Sequence, residues 1–111
     1  MLLQMLKGFK QEGKRIVAYG AAGGMATTLL AYLEVDDRLI DYAVDLNKHK
    51  QNKYTPVSHL YIYPPSQLLE DMPDYVLLLA WNYKEEVMQQ NQEYRNKGGK
   101  FIIPIPEPIV V

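Results

Sequence analysis

Lys14-Arg15-Ile16-Val17-Ala18-Tyr19-Gly20-Ala21-Ala22-Gly23-Gly24-Met25 is the stretch on which the architecture of this 111-residue chain turns. Ile16 and Val17 are β-branched and, with Ala18 and Tyr19, form an apolar run that reads as a strand over Lys14 to Tyr19. The glycine-rich segment from Gly20 to Gly24 ends it. Beyond, Met25, Leu29 and Leu33 recur every four residues with Ala26 and Leu30 beside them, the stripe of a helix packed on a sheet. Strand, glycine turn and helix therefore follow one another without a linker.

Upstream, Leu2, Met5, Leu6 and Phe9 have the i, i+3, i+4, i+7 spacing of one helical face, and Gly13 stands where a left-handed C-terminal cap belongs. Residues 1–12 are expected to be a short lead-in helix. Downstream, Asp41 to Asp45 reads as a second strand, and Leu46 to His59 is polar, basic and aperiodic, hence a loop. Leu60 to Tyr63 is a brief third strand stopped by Pro64-Pro65, and Ser66 to Asp71 a short helix closed by Pro73. Tyr75 to Ala80 is apolar throughout, as in a central parallel strand buried on both faces. Asn82 with Glu85 three residues on is a helix start, and that helix turns Val87, Met88 and Tyr94 inward before Gly98-Gly99. Phe101 to Pro104 is the last expected strand, with Pro104, Pro106 and Pro108 preventing its continuation. Strands alternating with helices imply a parallel sheet with right-handed crossovers. The expected fold is an α/β, Rossmann-like three-layer sandwich with a mostly parallel sheet of about five strands, a single domain over residues 1–111.

A composition of 48% hydrophobic and 23% charged residues is that of an ordinary globular protein, and a net charge of -1 supplies no attraction for a polyanion, so nucleic acid is not an expected partner. The absence of cysteine excludes disulfides and thiolate-bound metals and suits a reducing compartment, here the cytoplasm. The apolar run from Tyr75 to Trp81 is far below the ~20 residues that span a bilayer, and Lys7 and Lys10 do not fit a signal peptide, so no membrane association is expected. His49 and His59 are the two histidines and have no partner at metal-ligand spacing; no metal site is expected.

The turn Gly20-Ala21-Ala22-Gly23-Gly24 lets backbone approach a phosphate at the start of the helix that follows, and we read it as a ligand turn rather than one kept for packing alone. Its spacing only approximates G-x-G-x-x-G, because Ala22 and Met25 replace the second and third glycines, so a full dinucleotide site is not specified. Asp45 ends the second strand near the ~20-residue offset at which an acidic residue meets a ribose diol; an aspartate that merely starts a turn is equally compatible. Lys48, His49, Lys50 and Lys53 make the next loop basic, a pattern commoner as solvated surface than as a diphosphate cradle. His59 suits ligand contact or a hydrogen bond within its own loop. Trp81 and Asn82 stand at the carboxyl end of the most buried strand, where open parallel sheets bind ligands and where an aromatic ring and an amide suit a base or sugar, although capping the core and the helix accounts for them too. Ser58 and Ser66 have no nucleophile context, and hydrolase chemistry has no support.

The chain resembles the C-terminal domain of S-adenosylmethionine-dependent sugar-nucleotide C-methyltransferases. The resemblance runs from Gly13-Lys14 to Pro106-Glu107 and rests on ordered blocks: Ala18-Tyr19-Gly20-Ala21-Ala22; Asp45-Leu46-Asn47-Lys48-His49-Lys50-Gln51; Tyr54-Thr55-Pro56 with His59; Pro73-Asp74-Tyr75-Val76-Leu77; Ala80-Trp81-Asn82; and Gly98-Gly99-Lys100-Phe101 leading to Pro104-Ile105-Pro106. It implies that S-adenosylmethionine binds a separate, preceding methyltransferase domain, that this domain helps hold a nucleoside-diphosphate sugar, and that no catalytic residue lies in this chain, which alone would not turn over. It places Gly20, Ala21, Ala22 and Gly23 near the phosphates or sugar, with Asp45, Asn47, Lys50, Gln51, His59, Trp81 and Asn82 around the same crevice. Family members often carry a lysine inside the glycine turn; here Gly23 and Gly24 occupy that stretch, with one added residue before Thr27-Thr28-Leu29-Leu30. The rival expectation from the residues alone is a stand-alone Rossmann-type nucleotide- or dinucleotide-binding regulatory module, with Asp45 on an adenosine ribose.

Overall fold

A computed structural model of the chain describes residues 2–20, 39–46, 48–49, 51–54, 60–79, 84–103 and 109–111. Helix α1 (Leu2–Gln11) buries Leu6 completely and lays Met5 and Phe9 against the same apolar cluster, as the spacing predicts. Phe9 stacks on Tyr75 with ring centroids 4.0 Å apart. The helix closes as a Schellman motif: Gly13 has φ +80°, its N–H donates to the Lys10 carbonyl at 3.0 Å, and the Lys14 N–H donates to the Phe9 carbonyl at 2.9 Å.

The sheet contains β1 (Ile16–Tyr19), β2 (Ala43–Val44), β3 (Ile62–Tyr63), β4 (Tyr75–Leu78), β5 (Lys100–Ile103) and β6 (Ile109–Val110), in spatial order β3-β2-β1-β4-β5-β6. The pairs from β3 to β5 are parallel; β6 is antiparallel to β5, with Ile103 opposite Ile109. The first five strands are those expected from sequence, with shorter bounds for β1 to β4 and with β5 beginning one residue earlier, at Lys100. The sixth, not expected from sequence, lies beyond the prolines in the chain and pairs antiparallel with β5. All four β1 side chains are buried because both faces of the sheet are covered. Ile16, Ala18, Leu77 and Ile102 form one face with Leu6 of α1. Val17, Tyr19, Val76, Leu78, Phe101 and Ile103 form the other, together with Leu68 of α2 (Gln67–Asp71), Val87 of α3 (Lys84–Gln90) and Tyr94 of α4 (Gln92–Asn96).

The sequence suggests one helix up to Gly98-Gly99, whereas the chain breaks between α3 and α4 at Asn91, with φ -112° and ψ 30°. The Asn91 side chain donates to the Val87 carbonyl at 2.8 Å, a local alternative to continued helix that asparagine readily offers. Val87, Met88 and Tyr94 still face inward as expected. The expected helix over 25–33 and the helix start at Asn82 lie outside the described residues.

At the amino end of β1, Arg15 ties distant segments together. Its guanidinium makes two bonds to the Asp71 carboxylate at 2.7 and 2.6 Å and one to Asp41 at 3.0 Å, its N–H donates to Asp74 at 2.8 Å, and Lys10 reaches Asp41 at 2.9 Å. The Tyr42 hydroxyl donates to the same Asp71 carboxylate at 2.9 Å. The Arg15 bonds, helped by Tyr42 and opposed by partial burial, hold the Asp71 carboxyl below its ordinary range. A carboxyl depressed in the folded state contributes stability above its unfolded pKa of ~3.9 and loses it as pH falls through the lower folded value. Asp71→Asn should therefore lower stability by about 1–2 kcal/mol at pH 7, discounted for the exposure of Arg15. Urea titrations should show that difference shrinking below about pH 4; a difference independent of pH would mean that the charge on Asp71 is not what matters.

Candidate functional site

Strand order reverses at β1, whose neighbours β2 and β4 lead away in opposite directions, and the carboxyl edge at such a reversal is where open α/β sheets bind ligands. Pairing registers bring Tyr19, Val44 and Leu78 level at that edge. Gly20 follows Tyr19 with φ +80°, a conformation that side-chain-bearing residues resist, so the glycine is required by the sharp exit from the strand. Its N–H donates to the Val44 carbonyl at 2.9 Å, and the Leu79 N–H donates to the Tyr19 carbonyl at 3.0 Å, locking the start of the turn onto both neighbouring strands. The Gly20 amide is thereby committed to the sheet.

Asp45, directly after β2, sits beside Gly20 through that same Val44 link, and its own N–H donates to the Tyr63 carbonyl at 3.1 Å. Gln51 is brought to the same place: its side-chain amide donates to the Asp45 carbonyl at 2.7 Å and closes the loop after β2. Of the residues picked out from sequence, the structure thus gathers Gly20, Asp45 and Gln51 at one edge. Ala21, Ala22, Gly23, Asn47, Lys50, His59, Trp81 and Asn82 lie outside the described residues. Lys48, His49 and Lys53 are exposed.

Sequence reasoning missed Tyr19 as anything but a strand residue. Its ring is on the face carrying α2 to α4 and is only 3% exposed, yet its hydroxyl has no hydrogen-bond partner among the described residues. Burial pushes that hydroxyl above its usual pKa; a hydrogen-bonding interaction with the nearby Asn91 side chain, longer than a formed bond, opposes the rise, and the charge of Asp45 adds to it. A buried hydroxyl left unpaired typically costs about 1–3 kcal/mol. Tyr19 borders a cleft of about 210 Å³ that opens between the end of β1, the loop after β2, α2, the end of α3 and α4. The one sequence signal available was position, since Tyr19 is the last residue before the glycine turn.

Among the described residues no cluster of three or more His, Asp or Glu is placed to hold a metal, and no helix is long and apolar enough to cross a membrane.

The profile of the C-methyltransferase C-terminal domain matches residues 1–106. The chain belongs to this family. It is 38% identical over 108 residues to the C-methyltransferase NovU of Streptomyces niveus, an alignment that covers 97% of this chain and 26% of that protein, so the chain spans about a quarter of its relative's length. Among solved structures it is similar to UDP-D-quinovosamine 4-dehydrogenase from Vibrio fischeri, with a TM-score of 0.58 and 16% identity, covering 88% of this chain and 93% of the other. That likeness establishes a Rossmann-type α/β fold for a member of the C-methyltransferase C-terminal domain family, as the pattern of strands and helices implied.

Proposed function

We propose that this chain holds a nucleoside-diphosphate sugar for methyl transfer by a separate, preceding methyltransferase domain, acting in the cytoplasm. The observation that carries the reading is the placement of Gly20 and Asp45 side by side at the carboxyl edge where strand order reverses. A positive-φ glycine there admits a ligand close to backbone, and a neighbouring carboxylate can accept the two hydroxyls of a ribose. In this reading Ala21, Ala22 and Gly23 face the diphosphate or sugar, while Asn47, Lys50, Gln51, His59, Trp81 and Asn82 surround them. Membership of a family named for the C-terminal domain of C-methyltransferases supports the division of labour.

The family implies S-adenosylmethionine as methyl source. This reading assigns that donor to the preceding domain. What this chain supplies is orientation. Holding the acceptor carbon in line with a methyl group removes translational and rotational freedom that the reaction would otherwise have to lose at the transition state.

A chimera in which this chain replaces the matching segment of the Streptomyces niveus relative tests the assignment. It should transfer labelled methyl groups from S-adenosylmethionine to a nucleoside-diphosphate sugar, and this chain alone should transfer none. Methyl transfer by the chain unaided, or undiminished transfer when the matching segment is simply removed, would overturn it.

A further inference from the structure

Leu46 and Tyr54 are the two most exposed large apolar side chains among the described residues, at 55% and 67%, and both belong to the loop that leaves β2 at the carboxyl edge. An isolated exposed side chain calls for no explanation, but this loop holds its pair in fixed positions. The Gln51 side-chain amide bonds the Asp45 carbonyl at 2.7 Å, the Asn52 N–H donates to the Ile62 carbonyl and the Ile62 N–H to the Lys53 carbonyl, each at 2.8 Å, and Tyr54 pairs antiparallel with Tyr61. The ring of Tyr54 meets Tyr61 edge to face at 5.2 Å, Tyr61 meets Tyr63 at 4.7 Å and Tyr63 meets Tyr42 at 5.0 Å, a row that begins on buried Tyr42 and ends on exposed Tyr54. The Tyr61 hydroxyl donates to the Asn52 side chain at 3.1 Å and steadies the outer end of the row. An aromatic ring held in this way loses little freedom when it is covered, as the anchor of a protein interface requires. Between the two apolar residues the sequence places Lys48, His49, Lys50 and Lys53, with no acidic residue from Leu46 to Tyr54. Lys48 and Lys53 are exposed and pair with no carboxylate among the described residues. In a chain of net charge -1 this is a local positive excess, and it complements an acidic surface.

We propose that Leu46, Lys48, Lys53 and Tyr54 form the surface on which the preceding methyltransferase domain docks, with Tyr54 and Leu46 as apolar contacts and the two lysines facing carboxylates of that domain. The proposal rests on the sugar-nucleotide reading above and specifies where the two domains meet. Position selects the occupant. A domain that delivers a methyl group to a sugar held at Gly20 and Asp45 has to stand over the carboxyl edge, and Leu46 directly follows Asp45. The Asp45 N–H bonds the Tyr63 carbonyl, while Tyr54 pairs with Tyr61, two residues or about 7 Å along the same strand direction. Val110 and Val111, the other exposed large apolar residues among those described, lie at the opposite edge of the sheet, beyond β4 and β5 and away from that ligand.

Hydroxyl-radical footprinting compares Tyr54 in this chain alone with Tyr54 in the chimera that carries the rest of the Streptomyces niveus relative. Oxidation of Tyr54 should fall about fivefold in the chimera, as for a residue moved from solvent to the core of an interface, while Val110 and Val111 stay as reactive as before. In the chimera, Lys48→Glu combined with Lys53→Glu should lower kcat for methyl transfer about tenfold with KM for the nucleoside-diphosphate sugar unaltered, and the difference should shrink as salt is raised. Thermal unfolding of this chain carrying the same two changes should match the wild type, because both side chains are exposed. Tyr54 equally oxidised in a chimera that transfers methyl groups, or a kcat unaltered by the two charge reversals, would overturn the docking surface and leave the sugar-nucleotide reading intact. Protection of Tyr54 in this chain alone that grows with concentration would show a second copy on the surface and overturn the proposal. Protection in a chimera that binds no nucleoside-diphosphate sugar would uphold the contact and overturn the sugar-nucleotide reading.

Discussion

Replacing Gly99 by alanine is expected to destabilise the fold by about 3 kcal/mol, the upper end for overpacking a close-packed interior. Gly99 is buried, and a methyl group on its α-carbon would overlap the ring of Tyr94. The ring has no room to withdraw. Tyr94 is fully buried, meets Phe101 edge to face at 5.7 Å, and is anchored by its hydroxyl, which donates to the Pro73 carbonyl at 2.7 Å. Nor can the backbone shift easily, since the Gly99 N–H bonds the Tyr94 carbonyl at 3.1 Å and the Gly98 N–H the Arg95 carbonyl at 3.0 Å, the pair that ends α4. A double-mutant cycle checks the cause. In a Tyr94→Ala background, itself costing about 3–5 kcal/mol, Gly99→Ala should cost little. An equal cost in both backgrounds would place the strain elsewhere.

Gly20→Val is expected to be the most damaging change at the proposed site. A β-branched residue at φ +80° is held in a region that costs an ordinary residue about 1–2 kcal/mol and a branched one more, so the turn must leave its place between β2 and β4. Nucleotide binding should fall at least tenfold, with Gly20→Ala intermediate, because alanine tolerates that conformation better. Calorimetry read against urea unfolding of each variant checks this. If Gly20→Val keeps full affinity for a nucleoside-diphosphate sugar, the turn does not position the ligand.

Those features that depend on local pattern were legible before the structure. β1 and β4 announce themselves because strands covered on both faces carry unbroken apolar runs, and the end of α1 at Gly13 is fixed by a left-handed cap that glycine adopts without penalty. Features that depend on distant pairing were not. β6 is two residues long and takes its hydrogen bonds from β5 after a proline-rich passage, so although Ile109 and Val110 are β-branched, the run is too short to read as a strand by itself. The Arg15–Asp71 pair joins residues 56 positions apart, and charge composition does not say which carboxylate an arginine will meet. The break at Asn91 reflects one side chain competing for one carbonyl within an otherwise helical pattern.

At the site the division is similar. Gly20 and Asp45 follow from a known relation between strand ends and ligands, and the structure gathers both at one edge. Gln51 entered only through family resemblance; its bond to the Asp45 carbonyl gives it a definite task in closing the loop after β2. Tyr19 could be assigned to a face by alternation, but whether its hydroxyl finds a partner depends on α2 and α4, which arrive from elsewhere in the chain.

Amide NMR of the isotopically labelled chain during titration with a nucleoside-diphosphate sugar tests the central claim most directly. The account predicts saturable shifts concentrated at Gly20, Asp45 and their neighbours along the carboxyl edge of β1 and β2, with the Arg15 network and β6 undisturbed. Shifts confined to the opposite edge, or a spectrum unchanged at saturating ligand, would contradict it.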